Sequence, residues 1–234
     1  MSDRAGVADA LLLCGGSGSR LRADGVASEK PLAEVCGRSM LERVHDALAG
    51  NRLERVLAVV SPNAPATRER ARDLPCDLLE TPGEGYVADL DRALEAVDGP
   101  ALTVAADLPL LSVDHVDRAL DAVARLADAA ASNGAPPSDG GIPSVTVCVP
   151  AALKRAVGVS VDTSFVPGAS TDTQVVPADA APLELAPTGL NVVGVDDSAE
   201  AIWVSRDRAL TVNVNRASDL AVARSLCAEG HGCD

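Results

Sequence analysis

Lysine is almost missing from this chain of 234 residues. Of 20 basic residues only two, Lys30 and Lys154, are lysine; the others are arginine. Against them stand 34 acidic residues, 23 of them Asp, for a net charge of −14. A broad nucleic-acid surface needs a basic stripe, so no nucleic-acid partner is expected. Acid excess with so little lysine is what a salt-rich cytoplasm selects, because salt screens the self-repulsion of a compact, highly charged fold. No apolar run approaches the ~20 residues that cross a bilayer. Met1–Asp9 carries two Asp and lacks a basic stretch followed by an apolar one, so it does not read as a signal peptide. A cytoplasmic protein without membrane insertion is expected.

Other absences narrow the chemistry. The six cysteines, at 14, 36, 76, 148, 227 and 233, form no CxxC pair. Most lie in or beside apolar segments, where free Cys behaves as a small hydrophobe. The tail "CAEGHGCD" brings Cys227, His231 and Cys233 together; a metal site there competes with plain fraying, which chain ends favour. No Gly-Lys pair occurs, so there is no Walker A loop.

What is present alternates. Short apolar runs read as strands: "ADALLLC" (8–14), "ERVLAVV" (54–60), "CDLLE" (76–80), "PALTVAAD" (100–107), "SVTVCVP" (144–150), "GLNVVGV" (189–195) and "ALTVNVN" (209–215). Helical spacing appears between them. Ser39 caps "MLERVHDALAG", and "SPNAPATRERARD" runs from loop into helix. "GYVADLDRALEAV" places Val87, Leu90, Leu94 and Val97 inward, followed by "SVDHVDRALDAVARLAD" and a closing "ASDLAVARSLCA". Strand–helix alternation predicts an α/β domain with a parallel sheet covered on both faces. Residues 128–143 and 156–187 lack a clear pattern and read as loops or insertions on one domain spanning 1–234. "AALKRAVG" reads as a short helix whose Lys154, beside Arg155, is a solvated cation.

The stretch "LLLCGGSGSRLRADGVASEKPL" (11–32) holds the decisive loop. The dinucleotide pattern G-x-G-x-x-G fails, because Leu21 stands where the third glycine should be. The second strand also ends in "SPN" rather than an acid. What remains is G-G-x-G-x-R followed by K-P-L. Gly15, Gly16 and Gly18 let successive backbone N–H groups face one concavity suited to anionic oxygens. Arg20 and Lys30 would add two cations, and a lone lysine in an arginine-using chain marks a place that wants a compact point charge.

This loop, from Leu13 and Cys14 through Ser17, Ser19 and Arg20 to Lys30-Pro31-Leu32, resembles that of the sugar-nucleotide and molybdopterin nucleotidyltransferases. "AADLPLL" (105–111) resembles their metal-binding strand end. The resemblance implies a Rossmann-like three-layer αβα nucleotidyltransferase fold with a mostly parallel central sheet. It also implies that Asp107 binds Mg²⁺ on the nucleotide phosphates. "SPNAPATRE", "ETPGEGYVADLDRAL", "PTGLNVVG" and "VNVNRASDLAVA" together resemble the archaeal GTP:adenosylcobinamide-phosphate guanylyltransferases. That resemblance implies GTP and adenosylcobinamide phosphate as substrates, with no strong general base needed, and leaves room for a homodimer. Ser61, Pro62, Asn63, Thr81, Gly83, Gly85 and Tyr86 become nucleotide-contact candidates, and Asp89, Gly189 and Asn191 substrate-side ones. Asn213 and Asn215 would close the last strand on this edge, with Asn215 the second metal ligand unless both serve a turn. The competing readings are a molybdopterin guanylyl- or cytidylyltransferase and a non-catalytic nucleotide-binding regulator. The SPN and TPGEGY loops disfavour the first. The joint presence of Arg20, Lys30 and Asp107 disfavours the second.

Overall fold

A computed structural model of the chain describes residues 6–15, 19–26, 29–132, 141–168, 173–177, 180 and 183–232. In chain order the elements are β1 (Asp9–Leu13), α1 (Ser19–Ala23), β2 (Glu34–Val35), β3 (Arg38–Ser39), α2 (Met40–Ala49), β4 (Arg55–Val60), α3 (Pro65–Arg72), β5 (Asp77–Glu80) and α4 (Tyr86–Leu94). Then follow β6 (Ala101–Ala105), α5 (Val113–Ser132), β7 (Pro143–Pro150), α6 (Ala151–Val157), β8 (Thr173–Val176), β9 (Leu185–Val193), β10 (Asp196–Val204) and α7 (Ala217–Ala228). Among the described residues no helix is long and apolar enough to cross a membrane.

Eight strands form one sheet in the order β5-β4-β1-β6-β9-β7-β10-β8. Only β9 runs against its neighbours β6 and β7; the other pairings are parallel. The expected α/β fold with a mostly parallel sheet is therefore found.

The layers follow from the two-residue period of a strand. On β1, Ala10 and Leu12 face a core with Leu41, Val44 and Leu48 of α2 and Val116, Leu120 and Val123 of α5. Leu11 and Leu13 face the other way, onto Ala93, Leu90 and Leu94 of α4. The α2 helix starts where expected: Ser39 accepts from the Glu42 N–H, and Glu42 returns a bond to the Ser39 N–H, a full capping box.

Four expectations need correction. "ALTVNVN" is not a strand. Ala209–Thr211 is a 3-10 turn, started by Asp207 accepting from the Ala209 N–H, and the chain then runs extended without a ladder partner. Its alternation is real, since Leu210, Val212 and Val214 are fully buried, but alternate burial does not require a sheet. Second, β8 and β10 lie where no strand was read. Third, α5 continues to Ser132, so the loop expected from 128 begins later; residues 133–140 lie outside the described residues. Fourth, Val87, expected inward, is 69% exposed; the face that α4 buries is that of Asp89 and Ala93.

Candidate active site

β1 pairs with β4 on one side and β6 on the other, and the chain reaches them in separate excursions. In open α/β sheets such a switch point opens a crevice beyond the strands' carboxyl ends. Here it holds a cavity of about 200 Å³. Leu13, Cys14 and Gly15 line it from the loop after β1, Lys30 and Pro31 from the K-P-L turn, Tyr86 and Asp89 from α4, and Ala105, Ala106 and Asp107 from the end of β6. Gly16, Ser17 and Gly18 lie outside the described residues, and Ser19 opens α1. Burial, and secondarily Cys76, push the Cys14 thiol well up, so it packs as a neutral group.

Charge concentrates on one wall. Lys30 Nζ donates to Asp107 Oδ2 and to Asn215 Oδ1, each at 2.6 Å. Lys30 and Asp107 side chains are only 14% and 18% exposed, so this pair is poorly screened. Asn215 is brought there although no strand carries it: the Val214 N–H donates to the Asp107 carbonyl at 3.0 Å, and Asp219 accepts from the Asn215 N–H at 3.0 Å. Two hard oxygens thus converge on one cationic centre. That donor set suits Mg²⁺. Among the described residues no group of three or more His, Cys, Asp or Glu side chains gathers to hold a metal, here or elsewhere.

Next to Asp89 lies a pair of interlocked loops, whose Ser61, Pro62, Asn63, Thr81, Gly83 and Gly85 are not among the residues that line the cavity. Ser61 Oγ accepts from the Asn63 N–H at 3.1 Å, and Asn63 Nδ2 donates to the Gly83 carbonyl at 3.1 Å. Gly83 sits at φ +76°, and a Cβ there would lie 2.6 Å from Ser61 Oγ and 2.7 Å from Asn63 Nδ2. Pro62 and Gly85 are exposed beside them. Thr81 plays an internal part, its hydroxyl donating to the Val60 carbonyl. Asp89 accepts from the Gly83 N–H at 3.0 Å and its Oδ2 lies next to Gly15, where a Cβ would come within 3.3 Å of it, so it ties this loop to the glycine loop. Tyr86 is not a core residue of its helix: it is 56% exposed at the cavity mouth. Partial burial and the nearby Asp107 raise its phenol, which therefore stays neutral.

Three candidates are placed differently from the reading above. Arg20 is not on the cavity wall. It lies in the first turn of α1, 61% exposed, and pairs with Asp162 at 2.8 Å, a carboxylate that Arg216 also contacts at 2.7 Å. Asn191 lies within the sheet, opposite Thr103 and Thr146. Because β9 is antiparallel, the step from Gly189 to Asn191 moves away from the carboxyl edge. Gly189 itself is at that edge with φ +85°, where a Cβ would come within 3.2 Å of Ala105 and 3.5 Å of Asn213 Nδ2. Third, Lys154 is not solvated. It is 4% exposed, and its Nζ donates to Asn213 Oδ1 at 2.8 Å. α6 begins directly at the end of β7, and Ala151 and Lys154, three apart, share the face it buries. Burial lowers the Lys154 ammonium, opposed by Asp107, Asp219 and Asp162. The same scarcity of lysine that singled out Lys30 pointed equally at Lys154.

Two further residues carried no local signal. Glu29 accepts from the Ala66 and Thr67 N–H groups at 2.9 and 2.6 Å, anchoring the K-P-L turn on the free donors at the start of α3. Asp219, fully buried, also holds Ser160 through both backbone and hydroxyl. Among the described residues of the tail no metal-binding group gathers. Cys227 is paired with Cys36, and Cys233 lies outside the described residues. Nor is the tail loose to residue 232: Arg43 donates to the Gly232 carbonyl.

Comparison with known proteins bears on the family and the fold. The model of the MobA-like NTP transferase domain family matches residues 10–164. An adenosylcobinamide-phosphate guanylyltransferase of Methanocaldococcus jannaschii is 32% identical over 118 residues, 48% of this chain; the chain spans 58% of that relative's length. Two solved structures share the fold over nearly their whole length. One is a CMP:2-keto-3-deoxy-manno-octonic acid synthetase complexed with CTP, with TM-score 0.65, 14% identity, and 96% of this chain and 99% of that one covered. The other is a 4-diphosphocytidyl-2C-methyl-D-erythritol synthase of Anaerococcus prevotii, with TM-score 0.60, 10% identity, and 96% and 99% covered.

Proposed function

The chain belongs to the MobA-like NTP transferase family, and from that premise we propose that it transfers GMP from GTP to adenosylcobinamide phosphate. An acceptor phosphate oxygen attacks the α-phosphorus, the bond to the bridging oxygen breaks, and pyrophosphate leaves with the electron pair. The products are adenosylcobinamide-GDP and pyrophosphate. The acceptor phosphate is already an anion near neutrality, so the protein needs to supply alignment and charge neutralisation rather than a strong base.

One observation carries the reading: Lys30, Asp107 and Asn215 meet at the switch point, beside the cavity that the glycine loop enters. Asp107 and Asn215 would hold Mg²⁺ in place of the Lys30 ammonium that bridges their oxygens here, and the ion when bound would neutralise phosphate charge and orient the leaving group. Lys30 sits where its ammonium can follow charge onto the departing pyrophosphate. The Ser61–Asn63 and Gly83–Tyr86 loops would seat the nucleoside, with the amide of Asn63 and loop backbone groups available to guanine's edge. The choice of guanine and of the cobinamide acceptor is supported by the four sequence fragments and by the named relative.

The test combines the protein and Mg²⁺ with α-labelled GTP, CTP or ATP and with adenosylcobinamide phosphate or molybdopterin. Label passing from GTP to the corrinoid is the expected result. Equal use of CTP or ATP, or transfer to molybdopterin instead, would overturn the assignment of base or acceptor.

A further inference from the structure

Lys154 stands behind the cation wall rather than on it. Its Nζ is 2.8 Å from Asn213 Oδ1, and Asn213 turns its Nδ2 to the Thr188 carbonyl at 2.6 Å and to Asp107 Oδ1 at 3.2 Å. The chain of contacts is therefore Lys154, Asn213, Asp107. It leaves Asp107 Oδ2 as the oxygen that faces Lys30 and Asn215.

An Asn amide has two faces, one donating and one accepting. A cation on the oxygen side decides which way it turns. With Lys154 in place, Asn213 must offer its N–H₂ to Asp107. Without it, only the Thr188 carbonyl still holds the N–H₂ in place, and the cation that fixes the amide's oxygen side is lost. Lys154 can hold this position because it is buried and cannot swing into solvent.

We propose that Lys154 is a positioning residue that, through Asn213, fixes which oxygen of Asp107 is presented to the divalent cation. The inference rests on the metal role given to Asp107 under the proposed function. Removing such a supporting contact typically weakens metal affinity by about 10- to 100-fold.

The test reads the metal directly. Mn²⁺ affinity is measured by electron paramagnetic resonance in the presence of α,β-methylene-GTP, which cannot release pyrophosphate. Lys154→Met, close in length and shape, should weaken Mn²⁺ by about tenfold or more. Lys154→Gln, a neutral donor, should stay within about threefold of the native protein if orientation is what matters. Asn213→Ala should resemble Lys154→Met. The double variant should be no weaker than Asn213→Ala alone, because both changes remove one link. If Lys154→Met does not fold, Lys154→Gln and Asn213→Ala carry the test with the same expected values. Native-like Mn²⁺ affinity in Asn213→Ala or in a folded Lys154→Met, or effects that multiply in the double variant, would overturn the inference alone. A native protein that binds no Mn²⁺ with the analogue would overturn the metal reading and this inference with it.

Discussion

Lys30 Nζ and Asn215 Oδ1 stand 2.6 Å apart, although 185 positions separate them in the chain. The relationship joins the turn after the glycine loop to a segment beyond the matched family region, which ends at residue 164. Asp219 makes it possible. One buried carboxylate accepts from the Asn215, Arg216 and Ser160 N–H groups, so the approach to α7 is held against the loop after α6. The site thus draws one of its oxygens from the segment that leads into α7.

Lys30 should matter most at the reacting centre. Lys30→Ala is expected to lower turnover by on the order of 10²- to 10³-fold, the usual effect of removing one preorganised electrostatic group. Lys30→Arg should restore only part of it, since a planar fork does not replace a point charge between two oxygens 2.6 Å away. Initial pyrophosphate release with GTP and the acceptor measures this. Near-native turnover of Lys30→Ala would remove Lys30 from the mechanism.

Much of this was legible in the sequence, because its parts are local. The glycine loop, K-P-L, the Asp ending an apolar strand and the NVN segment each carry their chemistry within a few residues. What stayed hidden depends on distant packing. The partner of Lys154 is Asn213, 59 positions on, and nothing in "AALKRAVG" names it. Arg20 looked like a phosphate ligand because it follows the loop, yet Asp162 claims its guanidinium. The antiparallel course of β9 moved Asn191 inward, and strand direction leaves no mark on an apolar run. β10 was missed because its first half, "DDSAE", is polar.

Gly83 should be intolerant of any side chain. At φ +76° an L-residue costs roughly 1–2 kcal/mol in the left-handed region. The new Cβ would also press on Ser61 Oγ, Asn63 Nδ2 and Pro62 Cδ. Gly83→Ala is expected to lower stability by about that amount and to weaken GTP binding by more than the unfolded fraction explains. Chemical denaturation and calorimetric GTP titration on one sample separate the two effects. Unchanged GTP affinity would show that the interlocked loops do not form the nucleoside seat.

Salt should stabilise the protein. At −14, self-repulsion falls as the Debye length shrinks from ~10 Å at 0.1 M to ~3 Å at 1 M. Surface ion pairs such as Arg52–Asp121 weaken too, but exposed pairs contribute only about 0–1 kcal/mol each. The net repulsion is expected to dominate, and the melting temperature to rise between those two salt levels. A flat or falling melting temperature in sodium chloride would exclude the screening account.

The acid limb of stability should depend on Asp207. This carboxylate lies just before the turn that leads to Asn213 and Asn215, and it meets His115 Nε2 of α5 at 3.2 Å. The other ring nitrogen of His115 accepts from the Ser112 N–H at 3.1 Å, so Nε2 carries the proton toward Asp207. The hydrogen bond from His115, against the opposing effect of burial and with help from the Ala209 N–H and nearby positive charge, holds Asp207 down at about 2 instead of 3.8. A carboxylate held below its unfolded value stabilises the fold above that value. The contribution is lost as pH falls from about 3.8 to about 2, where protonation breaks the pairing. Asp207→Asn never has that contribution to lose. The native protein should therefore surrender more stability than Asp207→Asn between pH 5 and pH 2, with their denaturation midpoints converging at the acid end. Midpoints that stay equally far apart across that range would mean that Asp207 does not couple the turn to α5 through its charge.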